Sequence, residues 1–499
     1  MRSPKLTVPT LFSLSLALAY GAGCGSDADS GPEVALCEID NLQRRLDKAE
    51  AGEVVLFGDC NLTGSISVPA GAILRGESMS SSRLTGAGVV IRLDPGTEAN
   101  PTTVTGLSVS ATTGAALSAE GSGSVTLDTL AIEVTKGIGI GLDGVQALVK
   151  DTSIGGPVDS TNALAISESM VDEVKPWNLT GINGLLALRS DTSIEGLEVS
   201  GFASAAVMLA EGTHQIDDSS FRENLGHGLL IYSAVAEVSA TTVTDTFAGV
   251  LPAEEVSAVW ADKASSLTSN GLTITQGEGA GLLETASAGT HVDISISSQA
   301  QGGYWVVDST AGARVSGAES RIVDNALVGV GVVDSTGVKI SQAVISNTTP
   351  VEDAFGGTGV VIGDGVHVVN SLTGLYLNGI SVLGNDRIGI LVDLNGATWD
   401  PIVFNNVLIS APIDAFELVV QNGIVPEGTT ENAYTTLSGA LGDLEAPDAS
   451  VGTGFCDAFP LQCGSSDLGV IGPNNVIGPN NVIGPNNLLN TGLGPLLGR

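Results

Sequence analysis

The chain has 499 residues, of which 55 are acidic and 19 basic, giving a formal charge of -36, with 66 Gly and 4% aromatic residues. That charge repels nucleic acid phosphates and gives little purchase on anionic lipid, which excludes the nucleic-acid-binding classes. Abundant Gly, Val, Ile, Leu, Ser and Thr, with no long amphipathic helices in view, favour an all-β chain of short strands and tight turns.

Arg2 and Lys5 precede the apolar run from Leu11 to Ala19. The run is too short to span a bilayer and has the layout of an export signal, so residues 1-23 read as a signal peptide. The junction Gly21-Ala22-Gly23-Cys24 resembles the lipobox of bacterial lipoproteins, although that family usually carries Leu where Gly21 stands. The resemblance implies lipidation of Cys24 and an outer-membrane lipoprotein, periplasmic or at the cell surface; ordinary cleavage would instead leave a secreted protein. Residues 24-36 are small, polar and acidic, as a flexible tether should be. In an oxidising compartment Cys37 with Cys60, and Cys456 with Cys463, are candidate disulfides that bracket the two ends of the folded region.

Leu42, Leu46 and Ala49 fall on one face at helical spacing, and Gly52 stops the run. Val54-Phe57 and the stretch from Ile66 to Gly76 then read as strands. Helix, strand, Pro-Ala-Gly turn and strand, in that order, resemble the N-terminal cap of right-handed parallel β-helix proteins, the pectin-lyase-like superfamily. A cap is physically required, because an open end exposes the core and a row of unpaired strand edges.

From there the chain repeats itself. Gly303-Tyr-Trp-Val-Val-Asp-Ser-Thr returns as Gly329-Val-Gly-Val-Val-Asp-Ser-Thr, and each copy runs into a second alternating apolar segment. Similar starts recur from Gly88 through Asn162, Gly184, Ala205, Gly228, Ser257, Gly281, Gly359 and Gly389 to Ala415, at steps of about 21 to 30 residues, the mark of a stacked repeat. The predicted fold is all-β: a right-handed parallel β-helix solenoid over 37-421 with a short N-terminal capping helix. Asn224, Asn325 and Asn385 each stand four residues before a start, and read as an asparagine ladder in one turn. Residues 422-469, where the period fails and Pro appears, form a C-terminal cap region. Residues 470-499 are a low-complexity tail with Val-Ile-Gly-Pro-Asn-Asn three times over.

The resemblance to the β-helix superfamily brings polysaccharide lyases and glycoside hydrolases into view. Asp217, Asp218 and Gly226-His227-Gly228 match two pieces of a polygalacturonase-like site, while the upstream Asn-Thr-Asp and the Arg-Ile-Lys are absent. Asp218 and His227 fall in one coil, on different sides, so a turn histidine between structural glycines is the competing reading. Basic residues are scattered one per coil, unlike the cationic cluster that a lyase needs. Tyr232, Trp260, Tyr304 and Trp305 lie near coil starts and would stack on sugar rings if outward, or fill the core if inward. Asp308, Asp334 and Asp364 each follow their start by five residues, and Asp393 by four. As a column they would suit Ca²⁺ bridging between coils, whereas as turn residues they would simply be solvated.

The function read from the sequence is therefore a lipid-anchored, non-catalytic β-helix scaffold or adhesion-type envelope protein. It binds glycan or a protein partner along one face, requires no cofactor and leaves Ca²⁺ as an option. The alternative is a lyase or glycoside hydrolase of the same superfamily.

Overall fold

The computed structural model describes residues 37-157, 183-248, 256-351, 362-371, 373-394, 403-410, 412 and 416-421. It is an all-β parallel solenoid of about 13 turns with one short helix, Ile39–Leu46. That helix buries Leu42 and Leu46 against the first coil, and Cys37 is disulfide-bonded to Cys60. Cys24, Cys456 and Cys463 lie outside the described residues.

Each complete coil contributes one strand to each of three parallel sheets. In one coil these are His227–Tyr232, Val235–Ser239 and Thr242–Thr246, and in the next Ser257–Asp262, Ser266–Asn270 and Thr273–Gly277. Register is strict: Leu185, Val207, Leu229, Val259, Leu282, Tyr304, Val330, Val366 and Ile390 form one inward line of the first sheet. The second and third sheets alternate inward apolar and outward polar residues, the period of a sheet with one solvated face.

The recurrent glycine has a steric cause. A Cβ at Gly228, Gly281, Gly303 or Gly329 would lie 2.3 to 2.6 Å from a methyl of Val243, Ile296, Ile322 or Ile345, which the third sheet sends into the same layer of the core. The position admits at most a methyl: Ala206 and Ala258 stand at it in their coils, and Gly184, Gly228, Gly281, Gly303 and Gly329 in theirs.

The chain departs from the expected repeat in two places. Ile140 pairs directly with Leu185, so no rung of the first sheet lies between them, and the expected start at Asn162 falls outside the described residues. The partner of Val330 is Val366, which makes Gly365 the equivalent of Gly329 and not Gly359. The slip dissolves the expected aspartate column. Asp308, Asp334 and then Asn370 occupy one turn with φ of 50°, 46° and 46°. Asp364 stands in register with Val328 and Ile388, and Asp393 with Val369. The turn demands a left-handed residue, a role that Asp and Asn fill readily.

Asn224, Asn325 and Asn385 share the turn before the first sheet, where each side-chain oxygen accepts a backbone N–H of the preceding coil, from Phe202, Gln299 and Thr348. They do not stack on one another. Thr246, Gly277 and Gln299 occupy the rungs after Asn224, and Thr348 follows Asn325.

Candidate functional site

Two outward sheet faces carry polar groups in a regular order, one buried and one open. The first is the outward side of the first sheet, where Leu186, Met208, Leu230, Trp260, Leu283, Trp305, Gly331, His367 and Leu391 follow in register. They are buried, Trp260 to 4% exposure and Trp305 to 0%, and all but Gly331 and His367 belong to an apolar cluster separate from the interior. Of the four aromatics singled out in the sequence, Tyr232, Trp260 and Trp305 thus face outward from the first sheet, and Tyr304 faces the interior. The Trp305 ring covers Gly331, where a Cβ would lie 2.0 Å from its Cε3, and its Nε1 donates to the Gln301 carbonyl at 2.8 Å.

Polar groups interrupt this apolar face at two levels. At the first, Lys263 Nζ donates to the Tyr232 hydroxyl at 2.8 Å and lies 5.2 Å from the ring centroid, while burial pushes Asp262 up to about 6. His227 is buried beside Trp260, with ring centroids 5.3 Å apart, and its Nδ1 meets the backbone N–H of Ser257 at 3.2 Å. Burial pushes His227 down to about 4, so it is neutral at neutral pH. Asp217 and Asp218 belong to the second sheet and its following turn: Asp217 accepts the Ser239 hydroxyl at 2.5 Å, and Asp218 is left-handed at φ 47°. The geometry therefore does not join these two aspartates to His227.

At the second level Asp364, a turn candidate in the sequence, meets partners that no sequence motif marks. Arg387 donates to both oxygens of Asp364, at 2.7 and 2.5 Å, and His367 Nδ1 donates to Oδ2 at 2.9 Å. Burial alone would raise the Asp364 pKa. The nearby Arg387 charge and the hydrogen bonds from His367 and Arg387 outweigh it and hold the carboxyl below its usual range. A carboxylate that orients an imidazole is a general-base arrangement, and also a plain structural ion pair.

A third polar cluster lies inside the solenoid. Glu284 accepts from His291 Nε2 at 2.9 Å and from the Tyr304 hydroxyl at 2.7 Å, and Ser269 bonds His291 Nδ1 at 2.8 Å. Gly289 makes the room, since a Cβ there would lie 1.9 Å from Glu284 Oε1. Enclosed on all sides, this network ties neighbouring coils together.

The second surface is open. A groove of about 600 Å³ runs along the outward side of the second sheet, lined among others by Gln146, Leu148, Asp191, Ser193, Gln215 and Glu237. Amide, hydroxyl and carboxylate groups there succeed one another at the rung spacing of about 4.8 Å. No group of three or more His, Cys, Asp and Glu suited to a metal ion occurs among the described residues.

A family model described as the right handed beta helix region matches residues 180–408. The coil architecture and this match define a right-handed parallel β-helix. No curated protein matches the chain. Among solved structures, the Azotobacter vinelandii mannuronan C-5 epimerase AlgE6 A-module is similar at 10% identity and a TM-score of 0.32, covering 78% of this chain and 94% of that one. The catalytic unit of a thermostable GH87 alpha-1,3-glucanase from Streptomyces thermodiastaticus is similar at 12% identity and a TM-score of 0.36, covering 84% and 72%. Tailspike protein 3 of bacteriophage CBA120 is similar at 12% identity and a TM-score of 0.36, covering 83% and 62%. No TM-score here reaches 0.5, so no activity passes from these proteins to this chain.

Proposed function

We propose that this chain is a non-catalytic scaffold, anchored to the outer membrane through Cys24, that holds a glycan along the outward side of the second sheet. The observation behind this reading is the exposed groove from Gln146 to Glu237, whose planar amides and carboxylates suit the paired hydroxyls of a sugar chain. By contrast, the groups best able to do chemistry are buried and engaged: Asp364 with Arg387 and His367, and Glu284 with His291 and Tyr304. Asp262 and Asp364 stand four rungs apart on the first sheet and five residues out of register, about 25 Å in all, whereas hydrolytic carboxylate pairs sit about 5 to 9.5 Å apart.

The Asp364–His367–Arg387 cluster favours a second reading, a glycan-cleaving or glycan-modifying enzyme with His367 as base. One assay separates the two: the purified protein is incubated with neutral and acidic polysaccharides, and both retention and newly formed reducing or unsaturated ends are measured. Retention without product, weakened at least about tenfold by Gln215→Ala with Glu237→Ala, is expected. Product that disappears in His367→Ala would replace the scaffold by the enzyme. Mass spectrometry of the mature N-terminus tests the anchor, and an unmodified terminus elsewhere would make the protein simply secreted.

A further inference from the structure

The outward line of the second sheet reads, coil by coil in register, Ser193, Gln215, Glu237, Thr268, Thr290, Arg314, Lys339 and Tyr376. All are exposed except Tyr376, which is half-buried. Its first half carries an acid, its middle only small hydroxyl residues, and its second half two cations on successive rungs. Lys150, Arg189, Arg222 and Arg387 are each paired with a carboxylate one coil away, whereas Arg314 and Lys339 join no ion pair among the described residues.

We propose that this face is an interface between two copies of the chain, related by a two-fold axis that lies between the Thr268 and Thr290 rungs and runs along the strands. Such an axis reverses the order of coils and keeps the strand direction. Glu237 of each copy then lies opposite Arg314 of the other, Gln215 opposite Lys339, and Ser193 opposite Tyr376. The flat Thr268 and Thr290 rungs meet at the centre, where no long side chain holds the sheets apart. On the adjoining outward line Asp217 comes opposite Ser341, and Ser239 opposite Ser316. The same residues choose the orientation: a two-fold axis along the solenoid would set Glu237 against Glu237 and Arg314 against Arg314, and like charges across an interface select against it. At the rim Glu211 comes opposite Asp334, which works against the pairing.

The eight rungs span about 34 Å, and a five-residue strand about 16 Å, so each copy contributes roughly 540 Å². The total of about 1,100 Å² lies at the lower edge of specific interfaces, so a micromolar, salt-sensitive dimer is expected. The inference does not rest on glycan binding. A saccharide and a second copy would compete for Gln215 and Glu237.

Sedimentation equilibrium of the full chain tests it, with far-ultraviolet circular dichroism to verify folding. The wild type should form dimers with a Kd on the order of 10 μM at low salt, weakened several-fold near 0.5 M NaCl. Glu237→Arg and Arg314→Glu alone should each weaken the dimer at least about tenfold, and the two together should restore it to within about threefold of wild type. A wild type still monomeric at ten times that concentration would overturn the proposal. So would a dimer that ignores both reversals, or a double variant no better than either single one.

Discussion

At the residue scale, burial sets the protonation behaviour of three side chains, and their signs can be worked out. Burial lowers His214 and His227 from 6.5 to about 4, and raises Asp262 from 3.8 to about 6. For each histidine the unfolded chain takes up a proton below 6.5 while the folded chain does not until about 4. Their contribution is therefore complete above pH 6.5 and is lost as pH falls through that window, on the order of 3 kcal/mol each. Asp262 has the opposite sign: its contribution is complete below 3.8 and is lost as pH rises through 6. Two histidines outweigh one aspartate, so melting temperature should drop between pH 6.5 and 4 more steeply than carboxylate titration alone would give. Urea titrations of the wild type and of His227→Gln across this range are the measurement. A slope unchanged in the variant would mean that His227 is not held neutral by burial.

At the scale of the coil, the marker glycine is the feature that sequence and structure share most closely. Gly303 is visible in the sequence because it opens a copied phrase, and in the fold because Ile322 fills the space that its side chain would need. Gly303→Val should therefore cost on the order of 2 to 3 kcal/mol by overpacking, read as a lower urea midpoint at unchanged slope. Ile322→Ala combined with it should return part of that loss by vacating the contested volume. Purely additive losses would show that backbone geometry, and not the methyl of Ile322, imposes the glycine. Periodicity also exposed the turn columns, yet it failed at the insertion ahead of the 363-369 strand. Counting from Gly359 instead of Gly365 put Asp364 in a turn that Asn370 occupies. The polar clusters escaped for a related reason: Arg387 and Asp364 lie one coil apart, as do Ser269 and His291, and each looks solitary in a linear chain. Opposite charges about one period apart are the signal that could have found the ion pair, and Arg222 with Glu198 follows the same rule.

At the scale of the whole molecule, contacts between strands run from each coil to the next, so stability is approximately a sum of coil and neighbour terms and need not be lost all at once. The charge of -36 was legible at once, but which faces carry it depended on register. The N-terminal end is where this one-dimensional character meets covalent chemistry. The Cys37–Cys60 bond, with a sequence separation of 23, ties the start of the capping helix to the first coil, and Leu42 and Leu46 close the core beneath it. Opening a loop of that length releases about 3 kcal/mol of constraint on the unfolded chain, and in a solenoid the loss should fall on the end that held it. Amide hydrogen exchange of Cys60→Ser should therefore show faster exchange through the helix and the strands from Val54 to Gly76, with the coils from Ser257 to Val333 exchanging as in the wild type. An equal loss of protection along the whole solenoid would mean that the coils unfold as a single unit, and that the cap guards all of them and not only its own end.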